Sequence, residues 1–419
     1  MHHFDRRDGA LYAEDVPMEE IAARVGTPCY IYSAATLRRH ARVFREPFPE
    51  GTVTAFSVKA LSNIAVLSLL RQEGCGADVV SGGELERALR AGIAPDQIVF
   101  SGVGKTTDEL RQALSAGILQ FNVESVAELH MLSAVAQELG KSAPVALRIN
   151  PDVDAETHPG ISTGKADDKF GIPWDRALEA YNVARDLPGL DPSGLDLHIG
   201  SQITSLAPFE RAGERAADLV RMLRGEGFDV TRLDLGGGLG VPYKEGEVPP
   251  LPSDYAAAVL RTVGDLGVQL IFEPGRMIAG NAGLLLTKVI LTKTQTSKSF
   301  AVVDAGMNDL MRPALYNARH RVTEVRERDG APAPFALVGP ICESTDQFTP
   351  EADLIDPQAG DLLTFGTAGA YGAVQASQYN TRPLVPEVLV DGDKYYVIRR
   401  RPTINDMLGI EQIPPQFVR

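Results

Sequence analysis

Two charged residues stand at the ends of apolar segments, where a side chain can reach a site for chemistry. Lys59 ends the apolar segment Val53–Lys59, and Glu273 ends the segment Gln269–Glu273. A desolvated lysine can act as a Schiff-base nucleophile. The alternative for Lys59 is an edge lysine that extends its ammonium to solvent.

Three consecutive glycines form the second signal. Gly236, Gly237 and Gly238 follow the apolar segment Arg232–Leu235. Backbone amides of a glycine loop can bind a phosphate, and the missing side chains let the phosphate approach closely. A plain tight turn is the competing interpretation. The run is not a dinucleotide-binding fingerprint, because Val241 occupies the position of its third glycine.

A second glycine segment resembles a nucleotide-binding loop only in part. Gly104-Lys105-Thr106 ends as a P-loop does, but Val99 stands where that motif needs its first glycine. We therefore predict a turn between a strand and a helix here.

Lys59, the glycine loop and Glu273 together match the needs of pyridoxal phosphate (PLP). That cofactor takes a Schiff-base lysine, a phosphate-binding loop and an acid that keeps its ring nitrogen protonated, so that the ring accepts electrons. His198 could stack on the ring face; its alternative is a hydrogen-bonded core histidine. The residues predict PLP chemistry and no metal site.

The elements that must position these residues alternate regularly from Val53 onward. Short segments rich in Val, Ile and Phe alternate with segments whose apolar residues recur every three or four positions. The predicted strands are Val53–Lys59, Ala77–Val80, Ile98–Ser101, Leu119–Val123, Val145–Asn150, Gly194–Ile199, Arg232–Leu235 and Gln269–Glu273. The predicted helices are Asn63–Gln72, Gly83–Ala91, Thr107–Ala116, Ser125–Leu139, Asp175–Arg185, Leu206–Arg224 and Asp254–Leu266, with Ala34–Phe44 as an eighth.

This alternation predicts an α/β domain, a closed (β/α)8 barrel of the TIM type over residues 34–276, with a doubly wound sheet as the alternative. Active residues of such barrels lie at the carboxyl ends of the strands. Those ends carry Lys59, Asp78, Arg148, Asn150, His198 and Glu273.

The pattern changes after Arg276 to short β-rich segments separated by Pro and Gly turns. Asp391-Gly392-Asp393 is a hairpin signal among them. We predict an all-β C-terminal domain of residues 277–419, joined by residues 1–33. The long polar loop Ala155–Ile172 inside the barrel is typical of a lid or a binding loop.

The composition is that of a globular enzyme and excludes several other classes. The 419 residues are 44% hydrophobic and 23% charged, with a net charge of −14. An acidic chain is a poor binder of nucleic acid. Three cysteines are too few for a disulfide framework, and we expect no signal peptide and no membrane span. A cytoplasmic protein is therefore expected.

Several separated motifs resemble those of the diaminopimelate decarboxylases, a family of fold-type III PLP enzymes similar to alanine racemase. The resemblance runs from about Pro28 to Arg401. The motifs are Phe56-Ser57-Val58-Lys59-Ala60, Gly76-Ala77-Asp78, His198-Ile199-Gly200-Ser201-Gln202, Leu235-Gly236-Gly237-Gly238, Glu273-Pro274-Gly275-Arg276, Met311-Arg312-Pro313-Ala314-Leu315-Tyr316, Cys342-Glu343-Ser344 and Ala370-Tyr371-Gly372. One departure is that the family often has Tyr and Asn where this chain has Phe56 and Leu61 around the lysine.

The resemblance implies a role for each matched residue. The implied cofactor-binding residues are Lys59, Asp78, His198, Ser201, Gly236, Gly237, Gly238, Glu273, Gly275, Arg276 and Tyr371. The implied substrate-binding residues are Arg276, Arg312, Tyr316, Glu343 and Tyr371. Lys59, His198 and Cys342 form the implied catalytic set, with the Cys342 thiol as proton donor. The resemblance also implies a homodimer with shared active sites, in which Cys342 and Glu343 reach the partner's site.

The implied reaction is PLP-dependent decarboxylation of meso-2,6-diaminopimelate to L-lysine and CO2, the last step of lysine biosynthesis. The distal carboxylate of that substrate needs cations, which Arg276 and Arg312 offer. The alternatives are a decarboxylase of ornithine, lysine or arginine, and an amino-acid racemase. A more remote one is a non-catalytic PLP carrier, against which the β-rich residues 277–419 argue.

Overall fold

Two units make up the chain, whose residues 2–155, 169–243 and 246–417 are described by a computed structural model. One unit is Leu37–Gly280, and the other combines Met1–Thr36 with Asn281–Arg419. The first is a closed parallel barrel, and the second is built mostly from antiparallel sheet.

Eight parallel strands close the barrel. They are β1 (Val53–Ser57), β2 (Gly76–Val79), β3 (Ile98–Phe100), β4 (Gln120–Val123), β5 (Ala143–Asn150), β6 (Leu190–Asp196), β7 (Arg232–Asp234) and β8 (Gln269–Phe272). Each strand pairs with the next, and Phe272 of β8 pairs with Thr54 of β1 to complete the ring. The predicted (β/α)8 barrel is confirmed, and the doubly wound sheet is excluded because that sheet would stay open.

Helices surround the strands. They are Ala34–Arg45, Ile64–Gln72, Gly82–Arg90, Thr107–Ala116, Val126–Leu139, Ala177–Asp186, Ala207–Gly225, Pro252–Val263 and the short Arg276–Ala279. The ring of Phe44 contacts that of Phe272 edge-on at 6.2 Å, so the helix that precedes β1 covers β8. Ala34–Arg45 thus supplies the missing outer element, as its position in the sequence predicts.

Local sequence signals explain where the helices begin and end. Thr106 and Glu109 form a reciprocal capping box at the start of Thr107–Ala116, and Gly117 ends that helix in the left-handed conformation. Gly104-Lys105-Thr106 lies in the turn before this helix. The Lys105 ammonium donates to Gly102 O, Asn122 O and Glu128 Oε1, so its three hydrogen bonds all go to groups of the barrel.

Six of the eight predicted barrel strands run one to three residues too far at their carboxyl ends, which moves two site residues. Lys59 lies on a single 3-10 turn, Val58–Ala60, rather than on β1. His198 lies in the loop after β6, which ends at Asp196. Apolar side chains continue past the last ladder hydrogen bond because the mouth of the barrel is itself packed, so hydrophobicity alone cannot mark the strand end.

The second unit is organised around one long strand, Gly283–Thr294, which pairs with Ser299–Val303, Leu362–Phe365 and Cys29–Ser33. Cys29–Ser33, from the amino-terminal segment, lies between Gly283–Thr294 and Glu387–Asp391. The remaining strands are Phe4–Arg7, Ala10–Ala13, Val16–Pro17, Val322–Glu324, Ala333–Val338, Gln347–Leu354 and Lys394–Arg399.

The predicted C-terminal β domain is confirmed, and this mostly-sheet unit also holds short helices. They are Met18–Val25, Arg312–Tyr316 and Ile404–Leu408. Met18 and Ile21 of the first are fully buried in the core of this unit, so that helix covers a sheet face that would otherwise meet water.

The predicted hairpin at Asp391-Gly392-Asp393 is present, with Gly392 at φ +63° between two antiparallel strands. The predicted lid loop Ala155–Ile172 lies mostly outside the described residues, at positions 156–168. Among the described residues, no helix has both the length and the apolar character needed to cross a bilayer.

Candidate active site

Lys59 and Asp78 form an ion pair at the carboxyl ends of β1 and β2. Lys59 Nζ lies 2.9 Å from Asp78 Oδ2, which also accepts a hydrogen bond of 2.7 Å from Ser57 Oγ. The Asp78 side chain is fully buried, whereas the Lys59 side chain is 37% exposed. The amino group is thus held by a buried carboxylate while the side chain stays partly exposed, as a lysine that reacts with a small molecule must be.

The glycine loop after β7 is fastened to its neighbours by its own amides. Gly236 N–H donates to Asp234 Oδ1 at 2.9 Å, and Gly237 N–H donates to His198 Nδ1 at 3.2 Å. Two of the three expected phosphate donors are therefore used inside the protein. The amide of Gly238 makes no hydrogen bond to any described residue and is the donor that this loop can offer.

His198 is a neutral imidazole in this arrangement. Its Nδ1 accepts a hydrogen bond, which an imidazolium could not do. Burial lowers the pKa of His198 well below its usual range, and the nearby charges of Arg148 and Lys59 lower it further. A neutral, flat ring beside the glycine loop suits stacking on an aromatic ligand.

Glu273 follows β8 directly, and hydrogen bonds from described residues hold one of its two carboxylate oxygens. Its Oε1 accepts from Ser101 Oγ at 3.0 Å and from Asn122 Nδ2 at 3.1 Å. Its backbone N–H donates to Gly236 O at 2.8 Å, which ties it to the glycine loop. The other carboxylate oxygen, Oε2, makes no hydrogen bond to a described residue.

Buried carboxylates crowd the interior beneath this site. Oxygens of Asp196, Asp234 and Glu273 lie within 4.8 Å of one another. Burial, followed by the repulsion between these acids, raises the pKa of each of the three above its usual range. The Arg148 guanidinium donates to Glu124 Oε1 at 2.9 Å and approaches Asp196 to 4.0 Å, so it offsets part of the negative charge. A cation that binds beside Glu273 would relieve the rest.

Arg276 is held at the start of the short helix after β8, which Gly275 caps. Its Nη2 donates to Ser201 Oγ at 3.1 Å, and its Nη1 donates to the hydroxyl of Tyr243. Arg276 is only 4% exposed, so the protein rather than solvent fixes the position of its guanidinium.

The remaining predicted site residues belong to the second unit. Arg312 is buried at the start of the helix Arg312–Tyr316, with its guanidinium carbon 5.8 Å from the Tyr316 ring. Cys342 is exposed, and its backbone N–H donates to Asn380 Oδ1. Glu343 accepts from Thr345 Oγ1 at 2.8 Å. Tyr371 has a left-handed backbone, with φ +56°.

The barrel residues fit PLP. A Cβ at Gly237 would lie 2.3 Å from Glu273 O, and one at Gly238 would lie 2.6 Å from Gly200 O, so only glycines allow the loop to approach the segments that follow β8 and β6 this closely. Glu273 Oε2 can face a protonated ring nitrogen, and such a cation would favour the charged form of this carboxyl, whose pKa is raised by burial and by the neighbouring acids. Lys59 would hold the aldehyde carbon, and Gly238 N–H would contact the phosphate.

The family model for the "pyridoxal-dependent decarboxylase, pyridoxal binding domain" matches residues 34–280. A diaminopimelate decarboxylase of Vibrio cholerae is 50% identical to this chain, and the match covers 99% of this chain and 100% of that protein. The chain belongs to the diaminopimelate decarboxylase family. It is therefore a PLP-dependent lyase.

Solved members of the diaminopimelate decarboxylase family share the fold. The enzyme of M. jannaschii in complex with L-lysine has a TM-score of 0.95 at 35% identity, with full coverage of both chains. The enzyme of Helicobacter pylori in complex with L-lysine has a TM-score of 0.90 at 41% identity, covering 94% of this chain and 98% of that one.

Sequence reasoning missed the residues that support the site from within. Tyr243, which contacts Arg276, follows a glycine-rich loop and carries no local signal. Asn122 and Asp234 lie inside predicted strands, where a polar residue in an apolar segment is the only available sign. Their partners come from strands more than a hundred residues away, which a single sequence does not reveal.

Proposed function

We propose that this chain decarboxylates meso-2,6-diaminopimelate to L-lysine and CO2 with bound PLP, the last step of lysine biosynthesis. The observation that supports this most is the 50% identity, over 99% of the chain, to a protein named diaminopimelate decarboxylase. We assign cofactor binding to a barrel domain of residues 34–276. Residues 277–419 with 1–33 form the β domain.

The barrel residues bind and orient the cofactor. PLP, when bound, supplies an electron sink for the electron pair that the departing carboxylate leaves behind. Lys59 would hold the cofactor, and in the structure its amino group donates to Asp78. Glu273 would keep the ring nitrogen protonated, and His198 would pack on the ring face. Gly238, Ser201 and Tyr371 would contact the phosphate, with Gly236, Gly237 and Gly275 shaping the loops.

Substrate recognition rests on charge. Diaminopimelate carries a carboxylate and an ammonium at its distal end. The guanidinium groups of Arg276 and Arg312 bind the carboxylate, with the hydroxyls of Tyr316 and Tyr371 as further donors. Glu343 binds the distal ammonium. Ornithine and lysine lack the distal carboxylate and would leave these arginines without an anion.

The Cys342 thiol returns a proton to the α-carbon after CO2 leaves. It is exposed on its own unit, as a group that serves a shared site must be. Cys29 and Cys75 are unsuited to this role, because burial raises the pKa of each thiol to about 12.

The substrate assignment is tested by CO2 release from a panel of amino acids. We expect release from meso-diaminopimelate and at most a trace from ornithine, lysine or arginine. An Arg312→Lys variant should keep PLP bound and raise KM for diaminopimelate, because an ammonium cannot bind a carboxylate through two parallel hydrogen bonds. Faster turnover of ornithine than of diaminopimelate would refute the assignment.

A cytoplasmic homodimer with shared active sites completes the proposal. Lys59→Ala and Cys342→Ala should each be inactive alone. If each site joins Lys59 of one subunit to Cys342 of the other, half of the randomly mixed dimers are hybrids with one intact site of two. About a quarter of the parent activity should then return. No recovery on mixing, with hybrids verified by a tag, would exclude shared sites.

A further inference from the structure

A series of hydrogen-bonded polar side chains crosses the barrel interior from Arg232 of β7 to Glu273. Arg232 Nε donates to Gln120 Oε1 at 3.1 Å, and Gln120 Nε2 donates to Asn122 Oδ1 at 2.8 Å. Asn122 Nδ2 then lies 3.1 Å from Glu273 Oε1 and 3.2 Å from Asp234 Oδ2. Gln120, Asn122 and Asp234 are fully buried, whereas Arg232 is partly exposed.

The donor and acceptor of every hydrogen bond in this series follow from Arg232, the first residue in it. Arginine can only donate, so Gln120 must turn its carbonyl oxygen toward Arg232 and its amide nitrogen toward Asn122. Asn122 must in turn receive that donor on its oxygen, which leaves its own NH2 facing the carboxylates. Arg232 thus determines the orientation of the Asn122 amide, although within this series Arg232 contacts only Gln120 directly.

The barrel is shaped to contain this chain. Gln120 and Asn122 are two residues apart on β4, so both point to the same side of the strand. A Cβ at Gly194 on β6 would lie 2.7 Å from Ala146 Cβ and 3.2 Å from Gln120 Oε1, closer than side chains normally pack. A glycine at position 194 therefore leaves room for both Ala146 and the Gln120 amide.

We propose that Arg232, Gln120 and Asn122 form a directional relay that positions Glu273, by fixing its Oε1 and reserving its Oε2 for the ring nitrogen of PLP. Asn122 is the last positioning residue, and Ser101 supports it through its own 3.0 Å bond to Oε1. The inference rests on the proposed function only in taking Glu273 as the partner of that nitrogen.

The electrostatics of the barrel interior explain why Glu273 needs such support. Asp78, Asp196 and Asp234 all repel a charge on Glu273 or on each other, and Lys59 and Arg148 are the cations that oppose them. A donor on Oε1 favours the charged form of Glu273, which attracts a pyridinium, whereas burial raises the pKa of Glu273 and opposes that form. The Asn122 Nδ2 group lies within hydrogen-bond distance of Glu273, Asp234 and Ser101, and its bonds to the two carboxylates stabilise their charged forms.

The test substitutes Gln120, the middle residue of the relay, which is not one of the proposed cofactor-binding residues. In Gln120→Glu, the new carboxylate accepts from Arg232 and also from Asn122, so the Asn122 amide turns its oxygen toward Glu273. Gln120→Met removes the relay without adding charge. The matched control is Tyr181→Phe, which removes a buried 2.6 Å hydrogen bond to Gly194 O on the outer side of β6.

Two readouts that need no substrate decide the outcome: the PLP dissociation constant of the full-length protein, and the pH dependence of its visible absorbance band. For Gln120→Glu we expect about a tenfold or greater loss of PLP affinity and a shifted band profile, since a hydrogen bond to a charged group is lost. Gln120→Met should change both in the same direction but less, and Tyr181→Phe should change neither.

The relay is refuted if folded Gln120→Met binds PLP with the affinity and the band profile of the parent protein. If Gln120→Glu does not fold, the result for Gln120→Met decides the test by itself. Because neither readout involves an amino-acid substrate, an error in the substrate assignment would leave this result unchanged.

Discussion

At the scale of single residues, the site is governed by how a buried charge is compensated. Sequence reasoning identified Lys59, Asp78 and Glu273 from their places at strand ends, because the barrel geometry brings those ends together. It could not give the partners, such as Ser57 for Asp78 or Asn122 for Glu273, since these depend on rotamers and strand register. The sequence likewise did not reveal that the amides of Gly236 and Gly237 donate to Asp234 and His198.

Glu84 offers a pH test at this scale. Burial raises the pKa of its carboxyl from 4.5 to about 7, while the hydrogen bond from Val80 N–H opposes the rise. The folded state therefore binds this proton more tightly than the unfolded state. The stability it gives is complete below pH 4.5 and is lost as the pH rises through about 7.

Glu84→Gln keeps the acceptor for Val80 N–H and cannot ionise. Urea unfolding across this pH range should show a flatter stability profile than that of the parent, with the variant relatively more stable on the alkaline side. Parallel profiles for the two proteins would contradict the assignment of the raised pKa to Glu84.

Gly237→Ala tests the close approach between the glycine loop and β8. The added Cβ would meet Glu273 O at 2.3 Å, so the backbone that carries Glu273 must move. We expect PLP affinity to fall about tenfold or more. Gly104→Ala is the control, since a Cβ there meets nothing within 4 Å and the P-loop-like segment has no assigned role. Equal PLP affinities in the two variants would argue against a tight contact between the loop and β8.

At the scale of elements, periodicity identified all eight barrel strands and their helices, with errors of a few residues at the ends. Those errors matter where function is concerned, because Lys59 and His198 lie just beyond the strands. The strands Phe4–Arg7, Ala10–Ala13 and Gln347–Leu354 were not predicted. Phe4–Arg7 and Ala10–Ala13 are only four residues long, and Gln347–Leu354 contains a proline and has no regular alternation of apolar and polar residues, so none carries a clear strand signal.

Thr106→Ala tests a local signal. It removes the half of the capping box in which Thr106 Oγ1 accepts from Glu109 N–H, leaves the Thr106 N–H bond to the Glu109 carboxylate, and should destabilise the protein by about 1 kcal/mol. The neighbouring exposed Thr107→Ala serves as control and should have little effect. PLP affinity should stay unchanged in both variants, because this turn serves the helix and no cofactor. A loss of PLP binding in Thr106→Ala alone would mean that the turn has a role in the site.

At the scale of the whole molecule, the net charge of −14 gave no guide to the site, because the acidic surplus includes buried carboxylates that a cationic ring nitrogen would compensate. The barrel followed from the sequence since each βα unit buries its own apolar face against its neighbours. The sheet of the second unit was less predictable: its strand Cys29–Ser33 pairs with residues some 250 positions away.

The central claim is that Lys59 in this barrel carries the PLP of a diaminopimelate decarboxylase. The most direct measurement is borohydride reduction of the full-length holoenzyme, followed by proteolysis and mass spectrometry of the lysine peptides. We predict the pyridoxyl adduct on the peptide that contains Lys59, and its complete loss in Lys59→Ala. An adduct on Lys105 or any other lysine, or none at all in a yellow, active preparation, would contradict this claim.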